Sequence, residues 1–223
     1  PDWRIALSDA HDPRSMNDMA PSTKARVRLA YDEFFAHQLT LGLAREKLRR
    51  SKGISTLGDG QLRDTVVSQL PYALTAAQDR AVHEIIVDMS QDHRMNRLLQ
   101  GDVGSGKTLV AFLAVLNAVE SGGQGVLMAP TEILARQHLE SLRPLAMAAG
   151  VEIDILTGRD KGTERKQKLA ALASGKTNIL IGTHAVFQND VVFLDLRLAI
   201  IDEQHRFGVR QRLKLGQKGK AVD

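Results

Sequence analysis

From Lys24 to about Arg50 apolar residues recur at helical spacing: Val27, Tyr31, Phe34, Phe35, Leu39 and Leu43. Arg26, Asp32, Glu33, Arg45, Glu46 and Lys47 fill the other side, so the pattern predicts a long amphipathic helix. The Phe34–Phe35 pair is expected to pack into a core rather than stack on bases. Residues 1–22 carry turn formers and little periodicity and are expected to form a loop or linker. Glycines in "SKGISTLGDG" (51–60) break the long helix. A short helix is predicted over Gln61–Leu70, and another after Thr75, an N-cap candidate, through Met89.

After Arg97 the pattern becomes an alternation of short apolar runs and amphipathic stretches. Strands are predicted at Arg97–Gln100, Gly125–Ala129, Glu152–Leu156, Asn178–Ile181 and Arg197–Ile201. Helices are predicted at Lys107–Glu120, Glu132–Ala148 and Thr163–Ala173, with a short turn near Ala185. Solidly apolar strands separated by helices imply an α/β fold with a parallel sheet covered on both faces.

Composition narrows the class without choosing a function. Hydrophobic residues make up 43% and charged residues 25% of 223, which suits a globular domain. No apolar run reaches membrane-spanning length, so no membrane partner is expected. There is no cysteine, which removes disulfides and thiolate metal sites and fits a reducing, cytoplasmic setting. No leader is visible at Pro1, and both ends read as cuts, so a piece of a longer protein is expected. A net charge of +4 is too small to argue for nucleic acid by itself.

The strongest chemical signal is "GDVGSGKT" (101–108), which satisfies G-x-x-x-x-G-K-[ST]. Gly101, Gly104 and Gly106, with Ser105 between them, let successive backbone N–H groups turn inward, and a helix then opens at Lys107. Lys107 would reach β- and γ-phosphates, and the Thr108 hydroxyl would ligate Mg²⁺. Such a loop needs an acid on another strand end, and "LRLAIIDEQH" (196–205) supplies Asp202 and Glu203. Asp202 would hold the metal through water, and Glu203 would polarise the attacking water.

The base is expected to be adenine. The guanine-reading N-K-x-D signature is absent, and Gln78 in "LPYALTAAQ" (70–78) can offer a donor and an acceptor to the adenine edge, with Tyr72 able to stack. In an open parallel sheet, ligands bind beyond the carboxyl ends of the strands. Lys107, Thr131, Gly158, Thr183 and Asp202 each follow a predicted strand and should share one rim. Small and hydroxylic residues there (Pro130, Thr131, Thr157, Gly158, Gly182, Thr183) let backbone N–H groups approach phosphodiester oxygens without reading bases.

These residues resemble the motifs of superfamily 2 helicases, and closely those of the RecG-type branched-DNA helicases. The phosphate loop resembles motif I, and "DEQH" with "RFGVRQR" (202–212) resembles motif II and its continuation. "APTEILARQH" (129–138) is similar to motif Ia, and "LTGRDKGTER" (156–165) and "IGTHA" (181–185) to further DNA-contacting segments. "LPYALTAAQ" resembles the adenine-reading Q motif. A DEAD-box RNA helicase would carry Ala and Asp where this chain has Gln204 and His205. The translocase Mfd, with Gln where His205 stands and a second acid before it, is the nearest alternative.

The resemblance implies a RecA-like P-loop NTPase lobe preceded by a helical linker, with residues 1–60 as linker and 61–223 as an incomplete first motor lobe. It implies ATP and Mg²⁺ as cofactors and branched duplex DNA, such as forks and junctions, as partner of a monomer. It also implies DNA contacts at Pro130, Thr131, Gln137, Thr157, Gly158, Arg159, Gly182, Thr183 and His184, and a coupling role for His205. Motif III, a second lobe with an arginine finger and a wedge domain would lie outside these residues. The piece itself is then expected to bind nucleotide without unwinding DNA. A competing reading is a non-catalytic nucleotide- or DNA-binding module.

Weaker signals add little. The basic runs at 45–52, 159–168 and 210–220 are each most often solvated faces, although Arg159 or Lys161 could meet a phosphate. His138, His184 and His205 lack ligand spacing and read as hydrogen-bonding histidines.

Overall fold

The computed structural model describes residues 1–49, 52–207, 218–219 and 222–223, without the side chains of residues 44, 45, 47–49 and 205. The basic runs 45–52 and 210–220 and the "RFGVRQR" continuation therefore fall largely outside the described residues. The chain divides into two compact units, Pro1–Ser51 and Lys52–Asp223.

In the first unit, helix α1 (Trp3–His11) replaces the loop expected over residues 1–22. Trp3, Ala6, Leu7 and Ala10 stand at helical spacing, and the Asp2 carboxylate caps the start by accepting Arg4 N–H at 2.9 Å. The turn formers that follow, from Asp12 to Ser15, end this helix rather than preventing it. Helix α2 (Lys24–Arg49) packs on α1, with Ala6 and Ala25 buried. The expected core packing of its stripe is not found: Phe34 is 66% exposed, and Tyr31, Phe35, Leu39 and Leu43 are exposed too. Tyr31 and Phe35 stack on each other, with ring centroids 6.0 Å apart.

The second unit begins with an extended segment. Residues 52–60, grouped above with the linker, are bound into it through Asn117, whose Nδ2 donates to Thr56 O and whose Oδ1 accepts Gly58 N–H. Helices α3 (Gln61–Ser68), α4 (Ala76–Met89) and α5 (Lys107–Glu120) follow. Then come β1 (Gln124–Met128), α6 (Glu132–Ala148), β2 (Ile153–Leu156), α7 (Gly162–Ala173), β3 (Ile179–Gly182) and β4 (Leu196–Ile201). The turn expected near Ala185 is a 3-10 turn at His184–Phe187.

The four strands pair in parallel in the order β2-β3-β1-β4. Successive residues of the strands go to opposite faces, and on β4 an irregularity at Arg197 makes Leu196 and Leu198 pair with the successive residues Gln124 and Gly125 and so take opposite faces too. Leu127, Ile179, Ile181, Ile153, Ile155 and Leu198 join α4, α5 and α6 in one core. Val126, Met128, Leu156, Leu180 and Leu196 join Leu172 of α7 and Phe187 in the other. Helix α5 lies close over β1 because residue 125 is glycine: a Cβ there would collide with Val115.

The strand expected at Arg97–Gln100 is not formed. Leu98 is 60% exposed, and no described strand offers a ladder to this segment. Just before it, Met95 N–H donates at 2.7 Å to the carboxylate of Asp223, which exchanges backbone hydrogen bonds with Arg197 and Ala199 of β4. A four-residue run becomes a strand only when a partner satisfies its backbone. Among the described residues no helix is long and apolar enough to cross a membrane.

Candidate nucleotide and nucleic-acid site

Register places the site. Met128 lies opposite Gly182 and Ile201, and Gly182 lies opposite Leu156, so the four strands end side by side. The segments that leave them, 129–131, 157–159, 183–184 and 202–203, therefore share one rim.

The phosphate loop joins this rim through α5, which packs on β1. Gly104 and Gly106 have φ of 81° and 80°, the left-handed conformation that glycine adopts without steric cost. Gly106 is also the N-cap of α5, which aims the positive end of the helix dipole at the loop. Lys107 folds over the loop, and its Nζ donates to Gly101 O at 2.8 Å and Asp102 O at 2.7 Å. Gly101 and Ser105 stand close together, since a Cβ on residue 101 would meet Ser105 Oγ. Thr108 is half-buried in the first turn of α5.

Asp202 continues the sheet by one bond beyond β4, its N–H donating to Met128 O at 2.9 Å. His138 Nε2 donates to Asp202 Oδ2 at 3.0 Å. That hydrogen bond first, and the nearby charge of Lys107 with lesser weight, hold the Asp202 carboxyl below the usual carboxylate range despite its partial burial. Lys107 and Asp202 thus lie in one electrostatic neighbourhood. Glu203 has φ 47°, the sole non-glycine with positive φ among the described residues. This conformation costs about 1–3 kcal/mol and tends to cluster at functional sites. Its carboxylate pairs with Arg206 at 2.9 Å.

Gln78 is more committed than its sequence position indicates. Its Oε1 accepts Thr75 N–H at 2.9 Å in a capping box on α4, and its Nε2 donates to Ser105 O at 2.9 Å. A primary amide has two donors and two lone pairs, so one of each remains for a base. Tyr72 is exposed nearby in sequence.

Along the rest of the rim, Pro130 is half-buried, while Thr131, Gln137, Gly158, Arg159 and His184 are exposed. The Thr131 hydroxyl caps α6 by accepting Leu134 N–H. Arg159 reaches Glu132 at 3.2 Å, bridging a rim loop to the first turn of α6. Two further residues of this set are tied into their own loops. Thr157 is 1% exposed, with its hydroxyl and N–H both donating to Asp160, whose carboxyl stays low through Lys168 and these bonds in spite of burial. Gly182 is buried within the sheet, where a Cβ would strike Leu156 O. Thr183 is half-buried, and His184 packs on Phe207 with centroids 5.4 Å apart. The side chain of His205 lies outside the description.

One carboxylate and one hydroxyl suit Mg²⁺, which keeps several waters and takes phosphate oxygens rather than an all-protein cage. No group of three His, Asp or Glu side chains forms such a cage among the described residues. A cleft of about 790 Å³ lies elsewhere, between α6, α7 and the start of β2.

Comparison with known proteins fits this geometry. Residues 75–220 match the family model described as DEAD/DEAH box helicase. The ATP-dependent DNA helicase RecG of Bacillus subtilis is 46% identical over 224 residues, covering 100% of this chain and 32% of its own length. RecG of Escherichia coli K12 is 46% identical over 196 residues, covering 88% of this chain and 28% of its own. The chain thus spans about a third of the length of these relatives. A solved structure of RecG bound to a three-way DNA junction superposes with a TM-score of 0.78 at 42% identity, covering 98% of this chain and 29% of that one. The parallel sheet with helices on both faces is that of a RecA-like P-loop NTPase lobe. Since the family match takes in both the phosphate loop and the acidic strand end, the chain belongs to the DEAD/DEAH box helicases, on the RecG-type branch of superfamily 2.

Proposed function

We propose that this chain is the nucleotide-binding lobe of an ATP-dependent helicase that remodels branched DNA at forks and junctions. The observation that carries the reading is that the helix opened by Lys107 packs on β1, whose last carbonyl, Met128 O, accepts the Asp202 N–H at 2.9 Å, so that lysine and acid come to one rim. Nucleotide binding draws Lys107 from the loop carbonyls toward β- and γ-phosphate oxygens. Thr108 and Asp202 would hold Mg²⁺, which when bound neutralises phosphate charge. Glu203, released from Arg206, orients the attacking water and accepts its proton. Gln78 spans from the loop to the adenine edge with its remaining donor and acceptor.

Pro130, Thr131, Gln137, Gly158, Arg159, Thr183 and His184 face the phosphodiester backbone, with Thr157 and Gly182 shaping their loops. Such contacts are sequence-blind and salt-sensitive, as movement along any duplex demands. His205 transmits the nucleotide state toward a second lobe. The whole protein acts as a monomer in the cytoplasm. By themselves these 223 residues bind nucleotide and do not unwind DNA, because an arginine finger contributes about 10³–10⁵ in rate and belongs to the second lobe.

The test uses the full-length protein with forked DNA. Lys107→Ala should abolish DNA-stimulated ATP hydrolysis, and Glu203→Gln should bind ATP while losing about 10²–10⁴ in turnover. Wild-type hydrolysis by Lys107→Ala would refute the site.

A further inference from the structure

Helix α6 touches the rim twice. Its N-cap, Thr131, sits among the candidate DNA loops, and His138, two turns along, reaches Asp202. The His138 side chain is 14% exposed and that of Asp202 36% exposed, so the ring is enclosed while the carboxylate keeps an open side. The bond engages one oxygen, Oδ2, at 3.0 Å, and spans 64 residues of sequence. The Asp202 backbone is fixed separately by Met128 O. That backbone bond leaves the carboxylate free to swing about its own side-chain torsions. A hydrogen bond from a packed ring removes this freedom, which is how groups behind a metal ligand set its orientation.

We propose that His138 is a positioning residue that holds the Asp202 carboxylate turned for the nucleotide-bound cation, tying the metal-binding acid to the helix that opens at the DNA rim. This rests on the reading above that Asp202 faces Mg·nucleotide. A ring that merely filled space would contribute equally with and without metal. A donor that aims the carboxylate contributes only when a cation is there to be bound.

His138→Leu keeps the size of the side chain and removes the donor, whereas His138→Gln can place an amide N–H where Nε2 lies. In the full-length protein, binding of a fluorescent ATP analogue is titrated against Mg²⁺. The Leu variant should need about 10–100 times more Mg²⁺ for half-maximal binding, the range seen when the partner of a metal ligand is lost. The Gln variant should stay within about threefold of wild type, and without Mg²⁺ all three should bind alike. A wild-type Mg²⁺ midpoint for Leu, a Gln variant as impaired as Leu, or a loss equal with and without Mg²⁺ would each overturn the proposal. If the Leu variant fails to fold, His138→Asn, whose shorter amide falls short of Asp202, takes its place. A raised midpoint for Asn beside a normal one for Gln supports the bond, and equal midpoints refute it. Lys107→Ala, run in parallel, separates the two levels. If it binds the analogue like wild type, the nucleotide site itself is wrong; if it loses binding while His138→Leu does not, only the role of His138 fails.

Discussion

The two units of this chain use apolar residues in opposite ways. In Lys52–Asp223 they line both faces of a sheet, and Phe112, Leu113, Leu116, Met128 and Ile181 are essentially sealed from water. In Pro1–Ser51 the largest ones, Trp3, Tyr31, Phe34, Phe35 and Leu39, lie open, and the buried contact is made by two alanines. Helical periodicity is present in both, so periodicity reports the secondary structure and not the burial. A strand or helix is buried only when a second layer exists to cover it.

The largest effect that separates the units is cavity formation. Leu116→Ala, at a fully buried position of α5, should cost about 2–5 kcal/mol in denaturant unfolding. A loss under about 1 kcal/mol would mean that this core is far looser than its packing indicates.

Buried charge gives the next effect. The Glu120 side chain is 1% exposed and accepts Gly60 N–H, Arg63 N–H and Arg63 Nε, holding the start of α3 to α5. Glu120→Ala strands these donors and should destabilise by about 1–3 kcal/mol, less if water enters. Burial also sets a pH window. Asp223 is pushed up to about 6 by desolvation, against the opposing pull of Met95 N–H, Arg94 and His93. The folded state then holds a proton that the unfolded chain releases near pH 4, so this contribution is full below about pH 4 and lost as pH rises to about 6. Asp160 and Asp202 are depressed, so their contributions fade only on the acid side of pH 4. Asp223→Asn should therefore flatten stability between pH 4 and 6, by about 1 kcal/mol after solvent screening. An unchanged slope would place that carboxyl in water.

Much of the lobe is legible in the sequence because its punctuation is strong. Helices α5 and α6 begin and end where their amphipathic stretches predict, and four strands fall within two residues of their apolar runs. The rim follows from strand ends alone, because in a parallel sheet all of them point one way. Arg97–Gln100 misleads because strand formation depends on a neighbour, which local pattern does not encode. Helix α1 was hidden by the turn formers behind it. The His138–Asp202 bond and the left-handed Glu203 had no local signal at all, since one joins residues 64 apart and the other is a backbone state.

The smallest expected effect is the sharpest test of the contrast. Phe34 would be read from its spacing as a core residue, and its truncation would then cost about 3–5 kcal/mol. At 66% exposure it has little area to lose, so Phe34→Ala should change the unfolding free energy of this chain by less than about 0.5 kcal/mol. Alanine also has the higher helix propensity, which works in the stabilising direction. Measuring it beside Leu116→Ala under one set of conditions makes the ratio independent of the extrapolation to water. A cost for Phe34→Ala approaching that of Leu116→Ala would show that the stripe on α2 is covered in solution, and that the two units do not differ in the way described.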